Sequence, residues 1–89
     1  KFLSQIRTLL AKNKTYPPSA RRRNLTGLVV LSFQIAASGK PFNVKVVKSD
    51  HSTFSRAALA LIEKTRLPAP PEGWNDEFVI QIPIKYSLK

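Results

Sequence analysis

From Glu77 to Leu88 the chain alternates almost without error. Phe78, Ile80, Ile82, Ile84, Tyr86 and Leu88 fall on one side of a period-two pattern, and Val79, Gln81, Pro83, Lys85 and Ser87 fall on the other. Such a run predicts a long strand with one face on a core. Pro83 constrains it further. Proline has no N–H, so it does not fit a central strand bonded on both sides, and it argues for the edge of a sheet. On a free edge the N–H groups of Val79, Gln81, Lys85 and Ser87 point outward, with Pro83 silent between them. An exposed edge either aggregates or accepts a strand. Pro83 and Lys85 discourage unspecific pairing and leave donors and carbonyls for a chosen peptide, the mode known as β-augmentation. The other reading is an edge that is merely protected, and the residues alone weigh the two equally.

The rest of the chain supplies the partners of that strand. Phe2, Ile6, Leu9 and Leu10 recur at helical spacing and predict a helix over Lys1–Asn13. Asn13 to Tyr16 is a connector closed by Pro17-Pro18, and the prolines can open a short helix through Ser19–Arg23. Val29, Leu31, Phe33 and Ile35 form the apolar set of a first strand. Ser38-Gly39-Lys40 carries a hairpin turn. Phe42, Val44 and Val46 are the expected inward set of a second strand, and Val47 breaks its alternation as a bulge or an end. Asp50 to Ser52 offers caps for a helix over Thr53–Arg66, in which Phe54, Ala57, Ala58, Leu61, Ile62 and Thr65 share one face. Pro68 stops that helix, and a proline-rich connector runs from Leu67 to Trp74, whose indole is expected in the core. Three strands cannot close a barrel. The expected fold is therefore α+β in two layers, a three-stranded antiparallel sheet with helices on one face, in the order α-α-β-β-α-β, with an open edge at the last strand.

Composition sets the limits of function. The 89 residues suit one domain, read as an N-terminal amphipathic helix over 1–13 and a core over 14–89. The chain has no Met, and it reads as a segment of a longer protein. It has no Cys, which excludes disulfides and Cys-based zinc sites, and its single His excludes a His-rich metal site. No metal or cofactor is expected. Fifteen Lys and Arg against five Asp and Glu give a net charge of +10, which favours an anionic partner.

An enzyme finds little support. Asp50, Glu63, Glu72, Asp76 and Glu77 show no spacing that implies a catalytic pair. His51 lies among helix-start residues, where capping or exposure is the ordinary role. Gly27, Gly39 and Gly73 are isolated turn glycines rather than a phosphate loop. Arg21-Arg22-Arg23 invites a nucleic-acid reading, weighed against a solvated helix face. By alternation Phe33 and Phe42 face the helix layer and cannot also stack on bases.

The ordered motifs resemble the C-terminal domain of the TonB family of energy transducers over most of the chain, from about Phe2 to Leu88. Tyr16-Pro17-Pro18-Ser19-Ala20-Arg21 is similar to the family's Y-P-x-x-A start. Leu25-Thr26-Gly27 leads into Val29, Leu31, Phe33 and Ile35, similar to its G-x-V-x-V-x-F-x-I strand. Ser38-Gly39-Lys40 occupies the place of its D-G turn, and Val44, Val46, Val47 and Ser49 match its second strand. Phe54-Ser55-Arg56-Ala57-Ala58 matches its L-D-x-A-A helix, and Ile82-Pro83-Ile84 with Tyr86 resembles its V-P-I-x-F ending. Thr65-Arg66-Leu67 and Ser49-Asp50-His51 depart from the pattern.

The resemblance implies a periplasmic, non-enzymatic domain, tethered by a spacer to an inner-membrane helix and driven by the ExbB-ExbD motor. It implies capture of the TonB box of outer-membrane receptors for iron chelates or similar nutrients, as a strand added beside the last strand. Carried over by position, the binding residues are Val79, Ile80, Gln81, Ile82, Pro83, Ile84, Lys85, Tyr86 and Ser87, with Asn13, Lys14, Thr15, Tyr16 and Pro17 of the connector. Arg21, Arg22 and Arg23 are expected as a secondary basic contact. The open edge also admits strand exchange between two copies, a homodimer. The alternatives are a basic nucleic-acid-binding domain and a transducer domain of the Tol system, the latter less well matched by Tyr16-Pro17 and the Pro83 strand.

Overall fold

The fold is built around one strand that carries apolar residues on both faces. In the computed structural model, which describes residues 1–88, β1 runs Gly27–Ile35 and lies between β2 (Pro41–Ser49) and β3 (Ile80–Tyr86). Both pairings are antiparallel. Val29, Leu31, Phe33 and Ile35 are fully buried beneath the helices. Leu28 and Val30, on the other face, are half-buried. That residual apolarity suits a strand flanked on both sides. The expected α+β architecture, sheet and element order are all present.

Three helices complete the described residues: α1 (Phe2–Asn13), α2 (Pro18–Arg22) and α3 (Ser52–Lys64). α3 packs on β1 and β2, and α1 touches both α3 and β3. Ile6 and Leu10 of α1 are buried with Phe54, Ala58, Leu61 and Ile62 of α3 against Ile80, Ile82, Ile84 and Tyr86. Burying a large apolar side chain contributes ~1.5–3 kcal/mol, so this shared cluster holds the layers together. Its aromatic centre is Phe54 stacked on Tyr86, with ring centroids 4.6 Å apart and planes 4° from parallel. Trp74 closes one end as expected: its indole N–H donates to the Ile35 carbonyl at 3.1 Å, and the Phe2 ring meets it edge-on at 5.1 Å.

The second strand departs from simple alternation. Its register against β1 slips twice, between Val30 and Leu31 and again between Ser32 and Gln34. The first slip leaves Val47 unpaired and 54% exposed, the bulge its sequence suggested. The second was not foreseen. It places Asn43 at φ +52°, a left-handed conformation that Asn tolerates better than most residues. Past this bulge Phe42 pairs with Gln34 on the uncovered face, so it does not join the helix side with Val44 and Val46.

Other boundaries also move. β3 begins at Ile80, because Glu77 and Phe78 donate their N–H groups to Asn75, through its side chain and its carbonyl, and form a turn. Phe78 is therefore 51% exposed instead of inward, and Leu88 lies beyond the strand. The residues before α3 do not cap it by side chain. Asp50 instead accepts the Leu28 N–H at 2.9 Å and pins the end of β2 to the start of β1.

Candidate strand-accepting edge

Which backbone groups of β3 face outward follows from the ladder. The Leu28 carbonyl accepts from Asp50, and the Leu28 N–H goes to the Asp50 carboxylate, so Leu28 points toward β2. Direction alternates along a strand, so Gly27, Val29, Leu31 and Phe33 point toward β3. Their register partners Tyr86, Ile84, Ile82 and Ile80 point back. Gln81, Pro83 and Lys85 are left with their backbone groups turned to the outside. Pro83, opposite Val30, stands where no N–H is required of it. Side chains obey the same period: Ile80, Ile82, Ile84 and Tyr86 are buried, and Gln81, Pro83 and Lys85 are exposed.

The sheet has two edges, and they differ in kind. β2 is bent by its two bulges and carries Lys45 and Lys48, features that blunt an edge against pairing. β3 keeps an unbroken register from Ile80 to Tyr86. Only β3 offers a regular template to a further strand.

A groove of about 410 Å³ runs along that edge. Ile82, Pro83, Ile84 and Lys85 form one wall, and Arg7, Leu10, Ala11 and Lys14 of α1 and its C-terminal cap form the other. α1 lies beside β3 and runs the same way. Phe2 packs on Trp74, which also meets Phe78, while Lys14 sits at the opposite end and donates to the Lys85 carbonyl. A helix of α1's length spans about 18 Å, close to the reach of β3. The helix thus flanks the edge along residues 82–85.

The connector after α1 is fixed against the far end of β3. The Tyr16 hydroxyl donates to the Leu25 carbonyl, and its ring meets Phe54 and Tyr86 edge-on at 5.7 and 5.8 Å. The Lys14 ammonium lies 5.4 Å from the centre of the Tyr86 ring. The two segments named from sequence, 13–17 and 79–87, therefore converge at Lys14, Tyr16, Lys85 and Tyr86. Asn13 and Thr15 are exposed, and Pro17 precedes α2 as its cap. Val79 and Ser87 flank the strand and are exposed. Arg21 stacks over the Tyr16 ring at 5.5 Å and shares a shallow depression with Ser87, whereas Arg22 and Arg23 are exposed elsewhere. Sequence reasoning missed Arg7, Leu10 and Ala11 as a wall of the groove. Their signal was the helical spacing that joins them to Lys14.

Tyr86 carries the chief electrostatic irregularity. It is 1% exposed, and its hydroxyl has no hydrogen-bond partner among the described residues. Burial raises its phenol above the ordinary value. Among the described residues no group of His, Cys, Asp and Glu gathers to hold a metal, and none of the helices is long and apolar enough to cross a membrane.

The fold and its edge define a small α+β domain with a strand of regular register at one edge of its sheet. The chain belongs to the family described as Gram-negative bacterial TonB protein C-terminal, whose pattern it matches over residues 12–88. It is 37% identical to the TonB protein of Helicobacter pylori over 91 aligned residues, covering 99% of this chain and 31% of that protein. It is 33% identical to TonB of Haemophilus ducreyi over 86% of this chain and 27% of that one. The chain thus spans about a third of the length of these curated relatives. It also resembles two solution structures of the Helicobacter pylori TonB C-terminal domain. One has a TM-score of 0.81 at 38% identity, covering 99% of this chain and 81% of that one. The other has a TM-score of 0.77 at 37% identity, covering 100% and 96%.

Proposed function

We propose that this domain is the periplasmic, receptor-binding end of an energy transducer and is not an enzyme. It takes an extended segment of an outer-membrane receptor, the TonB box, as a fourth strand beside β3. The rest of the transducer would anchor it to the inner membrane and couple it to the ExbB-ExbD motor, for uptake of iron chelates or similar nutrients. The observation that carries this reading is the regular β3 edge, with Gln81, Pro83 and Lys85 turned outward along a groove.

Magnitudes shape the mechanism. Each added main-chain bond nets ~0.5–1.5 kcal/mol, so a short run supplies roughly 3–6 kcal/mol. Micromolar affinity needs a net of about 8 kcal/mol after the costs of association are met. The remainder has to come from side chains of the added strand packing on Leu10 and Ala11 across the groove. Equilibrium binding is therefore modest. A pull along the strands loads the bonds together, which resists force better than breaking them one at a time. Net positive charge speeds the encounter with an acidic receptor face, an effect that salt weakens.

The test exploits strand parity. Gln81→Pro removes an outward N–H at a position equivalent to Pro83, so the domain should fold and lose binding of peptides taken from receptor N-termini. Ile82→Pro removes an N–H that points into the ladder, and it should disrupt the sheet itself. Normal peptide titrations with folded Gln81→Pro, followed by amide chemical shifts, would refute the assignment of the edge.

A further inference from the structure

The free edge is not wholly free. Of its outward acceptors, the Lys85 carbonyl already takes a hydrogen bond from the Lys14 ammonium. That ammonium is presented from the C-terminal cap of α1 and rests near the face of the Tyr86 ring. A strand laid along β3 aims its own N–H at the same carbonyl and competes with Lys14 for that oxygen. A displaced ammonium stays within its side-chain length of the groove, next to the exposed Lys85 and about two helical turns from Arg7.

The opposite end of the edge has a different chemistry. Asp76 and Glu77 precede the strand there, and Phe78 and Val79 are each about half exposed. Phe2 packs at that end through Trp74, which leaves Asp76 and Glu77 as the charged side chains next to the strand start. The edge is thus cationic near Tyr86, and near Ile80 it is apolar with acidic residues beside it.

Resting on the strand-addition reading, we propose that Lys14 selects the incoming strand: it caps the Lys85 carbonyl in the free domain and passes to a carboxylate of the added segment at the Tyr86 end. The exchange disfavours unspecific edge pairing, because a neutral strand displaces the cap and gives the ammonium nothing in return. The preferred occupant is an extended apolar segment bearing an acidic residue where it passes Lys14 and an apolar residue where it passes Phe78 and Val79.

The test compares three short acetylated and amidated Val/Thr peptides: one neutral, one with Glu at its first position and one with Glu at its last. Each is titrated into the isotope-labelled domain and into Lys14→Met and Lys14→Arg. For the wild type, one Glu peptide should bind about two- to fivefold more tightly than the neutral one, the range of a partly exposed ion pair. Its Glu should perturb the amides near Lys14 and Lys85. In Lys14→Met the neutral peptide should bind at least as tightly as to the wild type, and the Glu preference should shrink. Lys14→Arg should restore that preference. An unchanged preference in Lys14→Met, or equal weakening of all three peptides, overturns the role of Lys14 while leaving strand addition standing. Failure of every peptide to shift the β3 amides overturns strand addition and this assignment together.

Discussion

Replacing Tyr86 by Phe should make the domain more stable. The ring is 1% exposed and its hydroxyl finds no partner among the described residues, so the folded state carries an unpaid desolvation cost. A buried hydroxyl left unpaired costs ~1–3 kcal/mol. The substitution removes only the oxygen and keeps the stack on Phe54 at 4.6 Å and the edge contact with Tyr16. The void left is smaller than a methyl group and takes back less than ~1 kcal/mol. The net gain is about 1 kcal/mol, which for a domain of this size raises Tm by roughly 4–8 °C. Urea titration and a thermal melt near neutral pH measure it directly.

The same substitution has a pH signature of fixed sign. Burial raises the phenol of Tyr86 in the folded state above its ordinary value near 10. Between those two values the unfolded chain has lost the proton and the folded chain still holds it. Fewer protons on the unfolded state mean that stability falls as pH rises, by up to about 1.4 kcal/mol per pH unit for one group. Above pH 10 the advantage of Tyr86→Phe over the wild type should therefore widen. Tyr16 and the lysines are common to both proteins and cancel in the difference. A variant that is less stable than the wild type, or whose advantage stays flat with pH, would refute the unpaired hydroxyl.

Gly39 has φ +94°, and a Cβ there would stand 2.9 Å from the Leu67 carbonyl oxygen. Gly39→Ala should thus cost at least ~2 kcal/mol, whereas Gly73→Ala, with φ +83° and open space around it, should cost nearer 1 kcal/mol by chemical denaturation. Phe54 is fully buried and in ring contact with Tyr16, His51 and Tyr86. Phe54→Ala should remove ~3–5 kcal/mol, a large part of the total for a small domain, and shift the urea midpoint accordingly. Thr65 donates its hydroxyl to the Leu61 carbonyl at 2.7 Å, but its own N–H serves the same acceptor at 3.1 Å. Thr65→Val leaves that carbonyl bonded, so its loss in a thermal melt should stay at the low end, about 0.5–1 kcal/mol.

Local periodicity made β1 and most of β3 legible because nothing interrupts their parity. Gly27 through Phe33 pair with β3 without a slip, and Pro83 marks the outward parity of the edge even before any neighbour is known. β2 was only half legible. The bulge at Val47 shows itself as two adjacent valines, but the slip at Asn43 depends on a left-handed φ that hydrophobic pattern does not encode, and it carried Phe42 to the wrong face. Phe78 failed for a similar reason. Its parity agrees with Ile80, yet the hydrogen bonds of Asn75 turn the chain before the strand begins.

The site divides along the same line. Which groups of β3 point outward is a matter of one strand's period, so Gln81, Pro83 and Lys85 were readable from their own neighbourhood. What stands across from them is not. Arg7, Leu10 and Ala11 are more than seventy residues away from Ile82 in sequence, and α1 reaches the edge only because Ile6 and Leu10 share a core with α3 and β3. The bond from Lys14 to Lys85 depends on that packing as well. An edge strand announces its donors and acceptors in its own residues, but how selectively it uses them is decided by whichever helix the core sets beside it.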